Sequence, residues 1–132
     1  MREGCQRFRW GSDDQDISCM EETMVKYKVI SGAVPETLTS GQAVTFNFGL
    51  PDVPDRGSGL LFYMVDTREG EHAYRIEISG SFQCKIALPK GNNFATLHTP
   101  IGHLGQVNVL QFASEGGVAP VDILNVVLFY DS

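Results

Sequence analysis

Three carboxylates fall within four residues in Ser12-Asp13-Asp14-Gln15-Asp16. Oxygen ligands at that density suit a hard cation, so Asp13, Asp14 and Asp16 are the calcium candidates. The run lacks the glycine and terminal glutamate spacing of an EF-hand loop, and it reads equally as a solvated acidic loop. A second cluster is Lys90, Asn92, Asn93 and Phe94. Planar amides and an ammonium beside an aromatic ring suit a ligand that presents paired hydroxyls and an apolar ring face. The Asn-Asn pair after Gly91 is also ordinary turn chemistry. His72 ends the most polar stretch, Asp66 to His72, and Trp10 is the single tryptophan, placed to act as a core plug or as an exposed platform. His98 and His103 stand five positions apart with no third ligand nearby, which is not a zinc spacing.

Covalent and nucleotide chemistry find little support. The nearest approach to a nucleophile elbow, Arg56-Gly57-Ser58-Gly59-Leu60, has the wrong spacing and reads as a flexible hairpin tip. No phosphate-cradling glycine motif occurs. Cys5, Cys19 and Cys84 make an odd count without a Cys-x-x-Cys. Cys84 alternates with Phe82 and Ile86, which predicts a buried, unpaired thiol and leaves Cys5 and Cys19 as the one pair that could bridge.

What positions these residues is set by length and pattern. The chain has 132 residues, 42% of them apolar, which fits a single domain over 1–132 able to bury its own core, with 1–24 a less regular segment. Sixteen acidic side chains against ten Lys and Arg give a formal charge of −6, which opposes the counterion release that drives nucleic-acid binding. A membrane-inserted segment is not expected, because no apolar run nears the length of about 18 residues that a membrane span needs, and a leader is not expected because Met1 to Arg7 leads into no apolar run.

From Ala43 onward the apolar period is two. Val44, Phe46 and Phe48 alternate with polar residues, as do Tyr74, Ile76 and Ile78, in the manner of half-buried strands. Leu60 to Val65 and Ile123 to Tyr130 are apolar on both faces, so each is central in its sheet or belongs to a partner surface. Phe82 to Leu88, Ala95 to Thr99 and Val107 to Phe112 complete seven strand candidates, bounded by turns such as Ser79-Gly80-Ser81 and Ser114-Glu115-Gly116-Gly117. Nearer the N-terminus, Ser18-Cys19-Met20-Glu21 has capping-box form and would open a short helix over about 19 to 26, in competition with a strand near 25 to 30. The predicted fold is all-β: an antiparallel two-sheet sandwich with at most that one helix.

Four stretches carry a resemblance: Ala73 to Gly80, Lys85 to Gly91, Leu104 to Phe112 and Val121 to Leu128. Their order of aromatic strand, proline-glycine turn, Asn-x-Leu-x-Phe strand and closing strand resembles the jelly-roll sandwiches of the galactose-binding-domain-like and carbohydrate-binding-module superfamily over about residues 42 to 130. The resemblance implies a non-catalytic domain that binds a glycan through end loops or one concave face, often with structural calcium. Lys90, Asn92, Asn93 and Phe94, with His72 and Trp10, are then the ligand-binding candidates. The rival expectation is an assembly protein whose two-sided apolar strands form a homo-dimer without any small ligand.

Overall fold

A computed structural model describes residues 25–51, 53, 57–67, 70–91, 93–117 and 119–131. Trp10, Asp13, Asp14, Asp16, Asn92, the Cys5 and Cys19 pair and most of the 19 to 26 helix lie outside them. Its described end is strand β1 (Val25–Val29), followed by β2 (Glu36–Leu38), β3 (Ala43–Gly49), β4 (Gly57–Thr67), β5 (His72–Ile78), β6 (Ser81–Leu88), β7 (Asn93–Leu104), β8 (Val107–Gly117) and β9 (Val121–Asp131). Among the described residues there is no helix, and hence none long and apolar enough to cross a membrane.

Two antiparallel sheets face one another. One runs β1-β9-β4-β7, with β2 also on β9, and the other runs β3-β8-β5-β6, the strand order of a jelly roll. The two-sided apolarity of β4 and β9 is explained by their central places in the five-stranded sheet. β9 takes β1 along its second half and β2 along its first, so β1 and β2 form one broken edge. Alternation then fills the space between the sheets with Leu61, Tyr63 and Val65 of β4, Tyr74, Ile76 and Ile78 of β5, Leu110 and Phe112 of β8, and Ile123, Val126 and Leu128 of β9. Tyr63 and Tyr74 reach across this core to share a hydroxyl hydrogen bond of 2.7 Å, and both rings pack on Phe112. Burial, more than any other cause, pushes the Tyr63 phenol up to about 12, and it raises that of Tyr74 as well.

Several expectations need correction. Phe82 does not share a face with Cys84: the register slips between Ile76↔Cys84 and Glu77↔Phe82, and this bulge turns Phe82 outward, where it is 60% exposed. Cys84 itself keeps its inward position as a free thiol, half-buried against the core and near the Thr99 hydroxyl. Gly57, Ser58 and Gly59 are not a loose hairpin tip but the start of β4. A Cβ on Gly59 would stand 2.4 Å from the Phe129 carbonyl, so the glycine permits the close approach of β9. Ser114 to Gly117 belong to β8 instead of a turn, with Glu115 the extra residue of a second bulge opposite Ala73 and Tyr74. Similarly, β7 runs well past the expected Ala95 to Thr99 strand, from Asn93 to Leu104. In the 19 to 26 region the two described residues, Val25 and Lys26, are strand.

Candidate functional site

The side chains that alternate away from the core give the five-stranded sheet an outer face of its own. Pairing registers align them in rows across the strands. One row is Tyr27, Phe129, Leu60 and Pro100; the next is Val29, Val127, Phe62 and His98; a third holds Leu124, Met64 and Thr96. Across the first two rows the rings touch. Tyr27 lies 6.3 Å from Phe129, Phe129 meets Phe62 edge to face at 5.4 Å, and Phe62 stacks on His98 at 5.4 Å. Tyr27 is 68% and Phe129 38% exposed, so the ladder presents its rings to solvent. A fourth row, Thr37, Asp122, Asp66 and Phe94, closes the face with carboxylates, and Thr37 Oγ1 donates to Asp122 Oδ1 at 2.6 Å.

Strand β1 shows that this apolarity is not incidental. Its sequence Val-Lys-Tyr-Lys-Val places Val25, Tyr27 and Val29 on the outer face and Lys26 and Lys28 on the other. An edge strand serving only the core would do the reverse. Lysines at that position also guard the free edge against pairing with another strand, and Pro100 removes a donor from β7 at the opposite edge.

The structure treats the predicted ligand residues unevenly. Phe94 is 67% exposed and sits on this outer face, at the carboxylate end. Lys90 is exposed in the β6–β7 turn. Asn93 is spent on that turn: its amide Nδ2 donates to the carbonyls of Pro89 at 2.8 Å and Gly91 at 3.2 Å, the ordinary turn chemistry its sequence also allowed.

His72 is a correction. It is the first residue of β5 and is 1% exposed, with Nδ1 at 2.8 Å from the Ala119 carbonyl and Nε2 at 2.8 Å from Ser114 Oγ. Since a carbonyl only accepts, Nδ1 carries the proton, and the ring ties β5 to the β8 bulge and to the β8–β9 connection. A glycine is needed beside it, because a Cβ on Gly117 would lie 2.6 Å from the ring. An open cleft of about 480 Å³ borders this ring, lined also by Glu71, Ala87 and Leu88, but its walls offer few polar atoms. Among the described residues no group of three or more His, Cys, Asp or Glu is placed to hold a metal ion.

The ring ladder went unread at the level of single residues. Its signal was nevertheless present in the two-sided apolarity of β4 and β9 and in the alternation of β1.

Comparison with solved structures finds similar folds, and the chain spans 12% and 19% of the length of the first two proteins it matches. It is similar to part of dimeric latent PorU from Porphyromonas gingivalis, with 12% identity, 84% of this chain and 12% of that one covered, and a TM-score of 0.55. It is also similar to part of an insecticidal delta-endotoxin from Bacillus thuringiensis, with 10% identity over 74% of this chain and 19% of that one at a TM-score of 0.54. A family 29 carbohydrate-binding module from Piromyces equi matches at 9% identity and a TM-score of 0.52, with 80% of this chain and 90% of the module covered. Identities this low establish the fold. No family model matches the chain, and no curated protein matches it.

Proposed function

We propose that this chain is a non-catalytic carbohydrate-binding module whose platform is the outer face of the five-stranded sheet. The observation that carries the reading is the solvent-facing ladder Tyr27, Phe129, Phe62 and His98, ended by the Thr37, Asp122 and Asp66 row. Sugar rings present an apolar C–H side that packs on aromatic faces and hydroxyls that bond to carboxylates and amides. The similarity to a carbohydrate-binding module, 90% of which is covered, supports the same reading.

Size separates this from the rival, a second copy of the chain. Four strands about 4.8 Å apart and five side-chain rows about 6.8 Å apart, from Val25 and Asp131 to Thr37 and Asp122, make a face of roughly 15 by 27 Å, about 400 Å². A stable protein interface takes about 800 Å² from each partner. The face is thus small for a dimer and sufficient for a short stretch of glycan.

A glycan array probed with the labelled protein tests the reading, followed by calorimetry on the hits with Tyr27→Ala and Phe129→Ala variants. Binding in the micromolar to millimolar range is expected for so open a site, with a loss in both variants. An empty array, together with a dimer by light scattering that persists on dilution, would overturn it in favour of self-association.

A further inference from the structure

One amide lies within the apolar part of the platform, and the strand is distorted to put it there. Regular alternation along β9 would send Asn125 inward with Val121 and Ile123. Instead the register against β4 slips between Phe62↔Val127 and Met64↔Leu124, so that β9 carries an extra residue. Asn125 takes φ 51°, and Val126, Leu128 and Tyr130 resume the inward alternation after it.

The bulge is built in by the β1–β2 connection. Asn125 N donates to the Gly32 carbonyl at 2.8 Å, and the Val126 carbonyl accepts from the Ile30 and Ser31 amides at 2.7 and 3.1 Å. Ser31 Oγ in turn accepts from Val126 N at 3.3 Å.

A left-handed φ is open to glycine and, among the other residues, chiefly to asparagine and aspartate, so the backbone of the bulge accepts Asn125. That side chain lies on the outer face, where Nδ2 donates to Met64 Sδ at 3.2 Å. A thioether is a weak acceptor, and Oδ1 accepts from none of the described residues. A planar group with one donor hydrogen and one acceptor oxygen to spare therefore stands between the Phe62 and Met64 rows.

We propose that Asn125 is the specificity-determining residue of the platform, resting on the carbohydrate reading above. One sugar ring lies with its C–H side against Phe129 and Phe62, and two neighbouring hydroxyls engage the amide. One hydroxyl donates to Oδ1 and the other accepts from Nδ2. The ligand class is a soluble neutral glycan with a free vicinal diol on the ring over the β9 bulge.

The test uses cello-, manno- and xylohexaose, with calorimetry on the protein and on Asn125→Gly and Asn125→Asp. Glycine suits the backbone angle, so Asn125→Gly keeps or raises the melting temperature while losing at least tenfold in affinity for whichever hexaose the unaltered protein binds. Asn125→Asp, which keeps the acceptor and loses the donor, falls between. A hexaose methylated at the two hydroxyls binds the unaltered protein at least tenfold more weakly than its parent and binds Asn125→Gly no more weakly. If both variants hold the hexaose as tightly as the unaltered protein, the assignment of Asn125 is overturned while the platform stands. If the unaltered protein binds none of the three, the platform reading and this assignment fall together.

Discussion

The two outer faces of this sandwich are built by the same alternation from the same chain, yet they differ in chemistry. On the four-stranded sheet the outward positions include Thr45 and Asn47 of β3, Gln111 of β8, Arg75 and Glu77 of β5 and Lys85 of β6, with Phe82 and Val107 as separate exposed apolar side chains. Four of the charged groups form a chain: Lys85 Nζ lies 3.0 Å from Glu115, Arg75 reaches Glu115 at 2.9 Å and Glu77 at 2.6 Å. On the five-stranded sheet the corresponding positions are mostly rings and aliphatic side chains, with carboxylates at the ends, Asp66 and Asp122 at one and Asp131 at the other. Polar and charged side chains dominate the first face. The second exposes apolar area that folding does not require, and such area marks a surface that meets something else.

If that division is right, stability and recognition come apart by location. The largest effect on stability belongs beneath both faces. Phe112 is fully buried against Phe46, Tyr63 and Tyr74, so Phe112→Ala removes a ring from the centre of the core and should lower stability by about 3–5 kcal/mol in chemical denaturation. A loss under about 1 kcal/mol would mean that the core sits elsewhere and that neither face is an outer one.

The tyrosine pair that joins the sheets comes next. Tyr63→Phe or Tyr74→Phe leaves one buried hydroxyl without its partner and should cost about 1–3 kcal/mol, whereas changing both together should be closer to neutral. Alkali probes the same pair. Folding holds the Tyr63 phenol protonated up to about 12, so its contribution is complete below the ordinary value near 10 and is lost as pH rises through about 12. Phenolate absorbance in the folded protein should therefore account for fewer than the four tyrosines of the chain until it unfolds.

Exposed rings of the five-stranded face should matter least to folding and most to binding. Tyr27→Ser, at an edge position 68% open to solvent, should cost less than about 1 kcal/mol of stability while removing glycan binding. A large loss of stability with binding intact would reverse the comparison, making the ladder a structural clasp for β1.

Why the fold was legible and the site was not follows from these same residues. Period-two alternation reports which side chains share a face, and Tyr74, Ile76 and Ile78, expected on one face, are all buried. Alternation cannot report a bulge, because the extra residue is chosen by the partner strand. Phe82 is turned out by a slip against β5, its own hairpin partner, and Asn125 is turned toward Met64 by a slip against β4, far away in sequence. Rows across strands are likewise invisible along the chain: Tyr27, Phe62, His98 and Phe129 span 102 positions and meet only through pairing. His72 and Asn93 were noticed for their polar groups, which the structure spends on its own backbone and, for His72, on Ser114.

The smallest effect is expected on the charged face. Glu115 accepts from Lys85 and Arg75, and those bonds, Lys85 first, hold its carboxyl below the usual range. A depressed value means that folding favours the carboxylate. Its contribution is present above the ordinary carboxylate value and is lost as pH falls through the lower folded one. Glu115→Gln should therefore be slightly less stable than the unaltered protein at neutral pH, and the gap should close below about pH 4. Because every member of the chain is open to water, molar salt should also close most of it. A gap that survives both acid and salt would show Glu115 acting through the backbone of the β8 bulge, where it is the extra residue between Ser114 and Gly116, and would make the charged face as structural as the core beneath it.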